Sequence, residues 1–167
     1  MELHEVKILA HQLMDKHITP IDRSKWVFEF DNSKRFLGKC YQPTIFNPGR
    51  IQVTTGYAQK AALDDVQDTL LHEIAHAITG PGHHHDKYWK RNCVLIGAKP
   101  DRCADSDAFE EYQAESANYV ATCPSCNSKY YASKMGKNMR NNRLHCHVCV
   151  KTQGFNDNNK LTYRRNA

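Results

Sequence analysis

Apolar residues recur at helical spacing near the start of the chain, where Leu3, Val6, Leu9, Ala10, Leu13 and Met14 share one face. The spacing predicts an amphipathic helix over residues 2–17 that ends before Thr19-Pro20. The period then changes to two. Trp26, Phe28 and Phe30 alternate with Val27, Glu29 and Asp31, the mark of a half-buried strand. Residues 38–46 and 50–55 read as two more strands, with Ile51, Val53 and Thr55 on one face, and Asn47-Pro48-Gly49 makes them a hairpin. The clearest helical pattern covers residues 58–79, where Leu63, Val66, Leu70, Ile74 and Ile78 recur every three or four positions and Gly80-Pro81-Gly82 stops the run. Two shorter helices follow. One covers about 86–96 with Trp89, Cys93 and Ile96 inward; the other covers 107–119, where Asp107 and Glu110 fit a capping box. The polar run Asn156-Asp157-Asn158-Asn159 reads as a loose end. The pattern predicts an α+β body with a small sheet, followed by a cysteine module.

Composition narrows this picture. The chain has 167 residues, 40% hydrophobic and 25% charged, enough for one ordinary core and a small satellite. No apolar run approaches the roughly 20 residues that cross a bilayer, and the first seven residues mix charge with apolar positions. The expectation is a cytoplasmic monomer with no membrane partner. Seven cysteines without an export signal point to metal rather than to disulfides. Charge is uneven: residues 1–122 hold 14 basic and 17 acidic residues, whereas residues 123–167 hold nine basic residues and one acid, Asp157. A basic end on a mildly acidic body fits a polyanion, nucleic acid first.

The run His72-Glu73-Ile74-Ala75-His76 lies inside the strongest helical pattern. Residues four apart project from the same face, so both imidazoles can bind one metal. Glu73 is displaced around the helix, where a carboxylate takes a proton from a water activated by that metal. A catalytic zinc needs a third protein ligand. His83, His84 and His85 all follow the glycine turn, and Glu110 and Glu111 are remote alternatives. The metzincin spacing fails, because Thr79 and Gly82 stand where it wants Gly and His.

Cys123-Pro124-Ser125-Cys126 and Cys146-His147-Val148-Cys149 are separated by 19 residues, a strong spacing for a closed, structural zinc site made of four cysteines. Between the pairs lie Tyr130, Tyr131, Lys134, Lys137, Arg140 and Arg143. The cations can neutralise phosphates and the tyrosines can stack on unpaired bases. Equally, the tyrosines can form the core of the small ribbon itself. Cys40, Cys93 and Cys103 read as buried, inert thiols.

The stretch from His72 to His76, followed by Gly80-Pro81-Gly82-His83-His84-His85-Asp86-Lys87-Tyr88-Trp89, resembles the SprT-like metallopeptidase family, which includes Spartan. That resemblance covers roughly residues 3–150. It implies a minimal zincin-like fold, and it selects His85 as the third ligand, because the family places that histidine four residues before a bulky aromatic, here Trp89. His83 is the alternative. The family usually has Gly after this histidine; here Asp86 stands there and can cap the next helix. Trp26–Asp31, Gly38-Lys39-Cys40 and Ile51–Thr54 match its upstream strands more weakly. The resemblance further implies a substrate chain extended along an edge strand, which would be Ile51–Thr55, and a C-terminal ribbon that in Spartan-type proteins engages DNA.

The expectation is therefore a catalytic domain over 1–119, a four-cysteine zinc ribbon over 120–152 and a basic polar tail over 153–167. Two zinc ions are expected, one catalytic on His72, His76 and His85, with Glu73 as base, and one structural on Cys123, Cys126, Cys146 and Cys149. The function would be endoproteolysis of a protein or peptide, with DNA-bound or DNA-crosslinked proteins as substrates by resemblance. The competing reading is a nucleic-acid-binding zinc protein with a vestigial peptidase site.

Overall fold

The first amphipathic run forms helix α1 (Leu3–His17), which buries Val6, Ala10 and Met14. A short turn of helix, α2 (Pro20–Arg23), starts on proline, whose fixed φ suits a first helical position. Three strands follow: β1 (Trp26–Asp31), β2 (Gly38–Tyr41) and β3 (Gly49–Thr54). The structure, a computed structural model, describes residues 2–101 and 107–166. Its chain divides into two compact units, Met1–Tyr112 and Gln113–Ala167.

In the first unit the sheet order is β1-β3-β2, with β1 parallel and β2 antiparallel to β3. Period two sorts its side chains into faces. The row Phe28–Ile51–Cys40 belongs to the face buried under α1 and the long helix described next. The opposite face is polar. Gln52 donates to Glu29 at 3.0 Å, Lys39 pairs with Asp31 at 2.6 Å, and the Arg50 guanidinium lies over the Tyr41 ring at 4.7 Å. At Gly49 the backbone passes so close to Trp26 that a Cβ would lie 2.6 Å from the indole. The hairpin forms as expected, but β2 is shorter than the pattern implied, stopping just before Gln42-Pro43. Proline has no N–H to give a ladder. The substrate-edge assignment is corrected: β3 is the central strand, and the edges are β1 and β2.

The long helical pattern is two helices, α3 (Thr55–Lys60) and α4 (Leu63–Thr79), so Thr55 opens a helix rather than closing a strand. Ala61 and Ala62 between them are extended, and Asp64 and Asp65 sit in the first turn of α4, where acids favour the helix dipole. A two-residue break of this kind leaves the apolar periodicity nearly unchanged, which is why the pattern hides it. Helix α4 ends on Gly80 at φ 89°. Helix α5 (Lys87–Ile96) is capped by the Asp86 carboxylate and buries Trp89 and Cys93. These two pack with Leu71, Ala75 and Ala98, and Ile96 joins them in part. Cys103 lies outside the described residues, as does the side chain of Asp107 in the expected capping box. Helix α6 (Asp107–Ser116) is shorter than expected, because residues from Tyr119 form a strand.

The second unit holds β4 (Tyr119–Thr122), β5 (Lys129–Ala132) and β6 (Arg164–Arg165) in the antiparallel order β5-β4-β6. It also holds two short helices, α7 (Lys137–Arg140) and α8 (His147–Gln153). Its core is Ala121, Cys123, Cys146, Cys149 and Leu161. The run 156–159 is not loose. Asp157–Asn159 is a 3-10 turn, and Asn159 is fully buried. Its amide donates to Gly154 O at 2.6 Å, and its carbonyl accepts from Cys146 N–H at 2.7 Å. Those backbone contacts are invisible in a string of polar letters. The architecture is α+β with small sheets, and no described helix is long and apolar enough to cross a membrane.

Gly49→Ala tests the close packing of the first sheet. We expect a loss of about 1–3 kcal/mol in urea unfolding from overpacking against Trp26; an unchanged midpoint would contradict the geometry.

Candidate active site and metal centres

Helix α4 presents His72 and His76 one turn apart, and the turn before α5 brings His85 to them. The Nε2 atom of His85 lies 3.1 Å from that of His72 and 3.2 Å from that of His76. Three nitrogens bound to one tetrahedral zinc at about 2.0–2.1 Å would stand about 3.4 Å apart. The set therefore fits the ion with little adjustment. A hydrogen-bonded cluster accounts for it less well, since one N–H serves one acceptor at a time and His85 faces two nitrogens. Burial, with His76 and His85 beside it, pushes His72 down to about 3. Burial and His85 push His76 down to about 4. Both imidazoles are thus neutral at pH 7, the form that ligates metal.

Trp89 is the floor of this cluster. Fully buried, its ring centre lies 4.6 Å from that of His72, 5.2 Å from that of His76 in a stacked pose, and 4.5 Å from that of His85. Asp86 fixes the turn that delivers His85. One carboxylate oxygen accepts from Tyr88 N–H and Trp89 N–H at 2.9 and 3.0 Å, and the other meets His83 Nδ1 at 2.6 Å. His83 therefore braces the turn and stays outside the three-nitrogen cluster, and His84 is exposed.

Glu73 lies beside β2, its side chain next to Gly38, and is 7% exposed. Burial pushes its carboxyl up to about 8. A cation held by the histidines acts in the opposite sense and favours the ionised form. A Cβ on Gly38 would lie 2.9 Å from Glu73 Cγ and 3.0 Å from both its Oε1 and Gln52 O, so a larger residue there would have to push this carboxylate aside. A glycine inside a strand is the available sequence signal for such an approach. Gln42, whose side-chain amide donates to His76 O at 2.8 Å, carries no such signal. Burial, then Glu73, raises the Cys40 thiol, and burial, then Asp68, pushes Cys93 up to about 12, so both are inert thiols. Glu110 and Glu111 do not join the histidine group.

In the second unit Cys123, Cys126, Cys146 and Cys149 converge, their ligand atoms all within 4.8 Å. Two of the sulfur pairs stand 3.5 and 3.8 Å apart. Four thiolates at about 2.3 Å from one zinc would be about 3.8 Å apart, whereas a disulfide needs about 2.05 Å. Tyr130 packs against this core and its hydroxyl meets Cys146 Sγ at 3.0 Å and His147 Nδ1 at 3.3 Å. It is half-buried against the ribbon core. Burial resists ionisation of Cys146, but Tyr130 and neighbouring N–H groups lower it to about 6. Tyr131 is half-buried, whereas Lys134, Lys137, Arg140 and Arg143 are exposed. His145 and His147 stay outside the four-sulfur group.

The family model described as the SprT-like family matches residues 6–108, more than half of the chain. The matched span holds the three histidines and Glu73 and stops before the four cysteines. Searches of curated proteins and of solved structures gave no match.

Two outcomes are expected. In zinc-free protein, unfolded Glu73 ionises near 4.5 and folded Glu73 near 8, so the folded state holds the extra proton between them and stability falls as pH rises through that window. His72 and His76 act at the other end, where stability falls as pH drops below 6.5 toward 4 and 3. Glu73→Gln should therefore gain on the wild type between pH 5 and pH 9, on the order of a few kcal/mol in urea unfolding with chelator present; a pH-independent difference would contradict the burial of this acid. Asp86→Ala should cost about 1 kcal/mol as a lost cap, and lower zinc affinity about tenfold in chelator competition by freeing the His85 turn.

Proposed function

We propose, since the chain belongs to the SprT-like family of metallopeptidase-like proteins, that it is a zinc-dependent endopeptidase. The observation that carries this reading is the convergence of three imidazole nitrogens beside a buried glutamate. His72, His76 and His85 would hold the ion, leaving a position open for water or substrate. When bound, zinc supplies Lewis acidity, polarising a scissile carbonyl and lowering the pKa of coordinated water to roughly 7. Glu73 takes the proton released by the attacking water on its carboxylate and returns it to the leaving amine. Gly38 leaves room for that carboxylate, Trp89 holds the imidazole planes, and Asp86 with His83 fixes the His85 turn. The substrate lies as an added strand along the open edge of β2, the edge beside Glu73.

The four cysteines would hold a second, structural zinc, with no position left for chemistry. The exposed Lys134, Lys137, Arg140 and Arg143, together with Tyr131, support contact with DNA in a segment holding nine basic residues and one acid. On this reading the substrates are proteins bound or crosslinked to DNA.

Glu73→Gln should keep its zinc and lose cleavage by at least about 100-fold. Turnover that survives in this variant would end the assignment, and absence of turnover in the wild type would favour a vestigial site. Metal analysis should find two zinc ions, one lost on His72→Ala and the other on Cys123→Ser. Cleavage of a DNA-bound protein should fall when DNA is omitted; equal rates would remove DNA from the function.

A further inference from the structure

Two neighbouring side chains, Ile45 and Phe46, stand 96% and 91% exposed at the tip of the β2–β3 loop. The loop is ordered by its own bonds. Thr44 N–H donates to Asn47 O at 2.9 Å, and the Thr44 hydroxyl accepts from Phe46 N–H at 3.3 Å and Asn47 N–H at 3.0 Å. Pro43 and Pro48 fix φ on either side. The backbone thus holds two large apolar groups out in water, an arrangement the hydrophobic effect opposes and folding does not require.

The position of the tip says what would cover it. Gln42, at the root of the loop, is tied to the carbonyl of the ligand residue His76. Strand β2 leads into the loop directly, and among the described residues no strand pairs with its outer edge. A polypeptide extended along that edge runs past Glu73 and on to the tip, where Lys25 and residues 43–48 line an open depression. The neighbouring cations are already engaged, Lys25 with Asp22 at 2.8 Å and Arg50 over the Tyr41 ring. A phosphate backbone would need such cations free. An apolar side chain needs only contact area.

We propose that the Ile45–Phe46 tip is a substrate-docking element that takes apolar side chains of an unfolded polypeptide laid along β2. The proposal rests on the endopeptidase reading and adds a substrate class to it. Folded proteins keep their apolar side chains inside and their backbones paired, so they offer neither the strand nor the side chains this surface accepts. Unfolded segments offer both.

The test measures binding on the full chain in the Glu73→Gln background, so that the probe is not consumed. Fluorescence anisotropy would compare Ile45→Ser/Phe46→Ser with its parent, using reduced, carboxymethylated α-lactalbumin as the unfolded probe. A Gly/Ser peptide and a single-stranded oligonucleotide serve as controls. Both replaced side chains are exposed, so fold and zinc content should be unchanged. The expected result is a Kd for the unfolded protein raised about tenfold or more by loss of apolar contact, with oligonucleotide binding unaltered. Equal affinity for the unfolded probe would overturn the proposal. So would a loss confined to the oligonucleotide, which would assign the tip to nucleic acid. Cleavage by the wild type, measured separately, tells failure of the docking surface from failure of the endopeptidase reading.

Discussion

Three imidazole nitrogens aimed at one point set the terms for the rest of the first unit. Brought within 3.1 and 3.2 Å, they gain little from one another and must be held there by the scaffold. Helix α4 supplies two of them because its buried face, Val66, Leu70 and Ile74, locks it onto the sheet and α1. The third comes from a short turn between two glycines of positive φ and a capped helix, with an indole packed beneath all three rings. The same helix sets Glu73 into the space that β2 leaves open at Gly38. His72, Glu73 and His76 are thus placed by neighbouring positions on one helix, so the position of each follows from the packing of that helix.

Much of this was legible because the chemistry coincides with local periodicity. The i, i+4 spacing of His72 and His76 puts both on one helix face whatever the tertiary structure, and the two Cys-x-x-Cys pairs gather by the same local logic. Choosing His85 over His83 and His84 required the resemblance to a family, since three consecutive histidines look alike in a string. What decides among them is a cap, one carboxylate oxygen on the α5 amides and the other on His83. Strand order was not legible either. Alternation identifies a strand and its buried face, but β3 sits between its neighbours only because β1 pairs with it in parallel, across a long stretch of intervening chain. Gln42 at the His76 carbonyl is likewise a tertiary contact without local pattern.

The two groups that could hold metal differ in kind. The histidine group joins half-buried imidazoles beside a buried acid, whereas the cysteines are themselves most of a core. In a unit of this size there is little apolar area to bury, and bonds from the four sulfurs to an ion would take over part of what side-chain packing does elsewhere. Tyr130 illustrates the point: the residue that looks available for stacking on a base packs against that core, and its hydroxyl meets a sulfur. The exposed charge, by contrast, lies on Lys134, Lys137, Arg140 and Arg143, which contribute no packing to it.

Gly38 carries no functional group, yet its missing methyl is the volume beside the Glu73 carboxylate. A side chain there would leave the three histidines untouched and would displace the acid. A search for reactive side chains would pass over position 38. If the chain is the endopeptidase proposed above, inheritance of that activity depends on an absent side chain as well as on the histidines, and a homologue that keeps all four site residues but fills this position is a candidate for having lost the reaction.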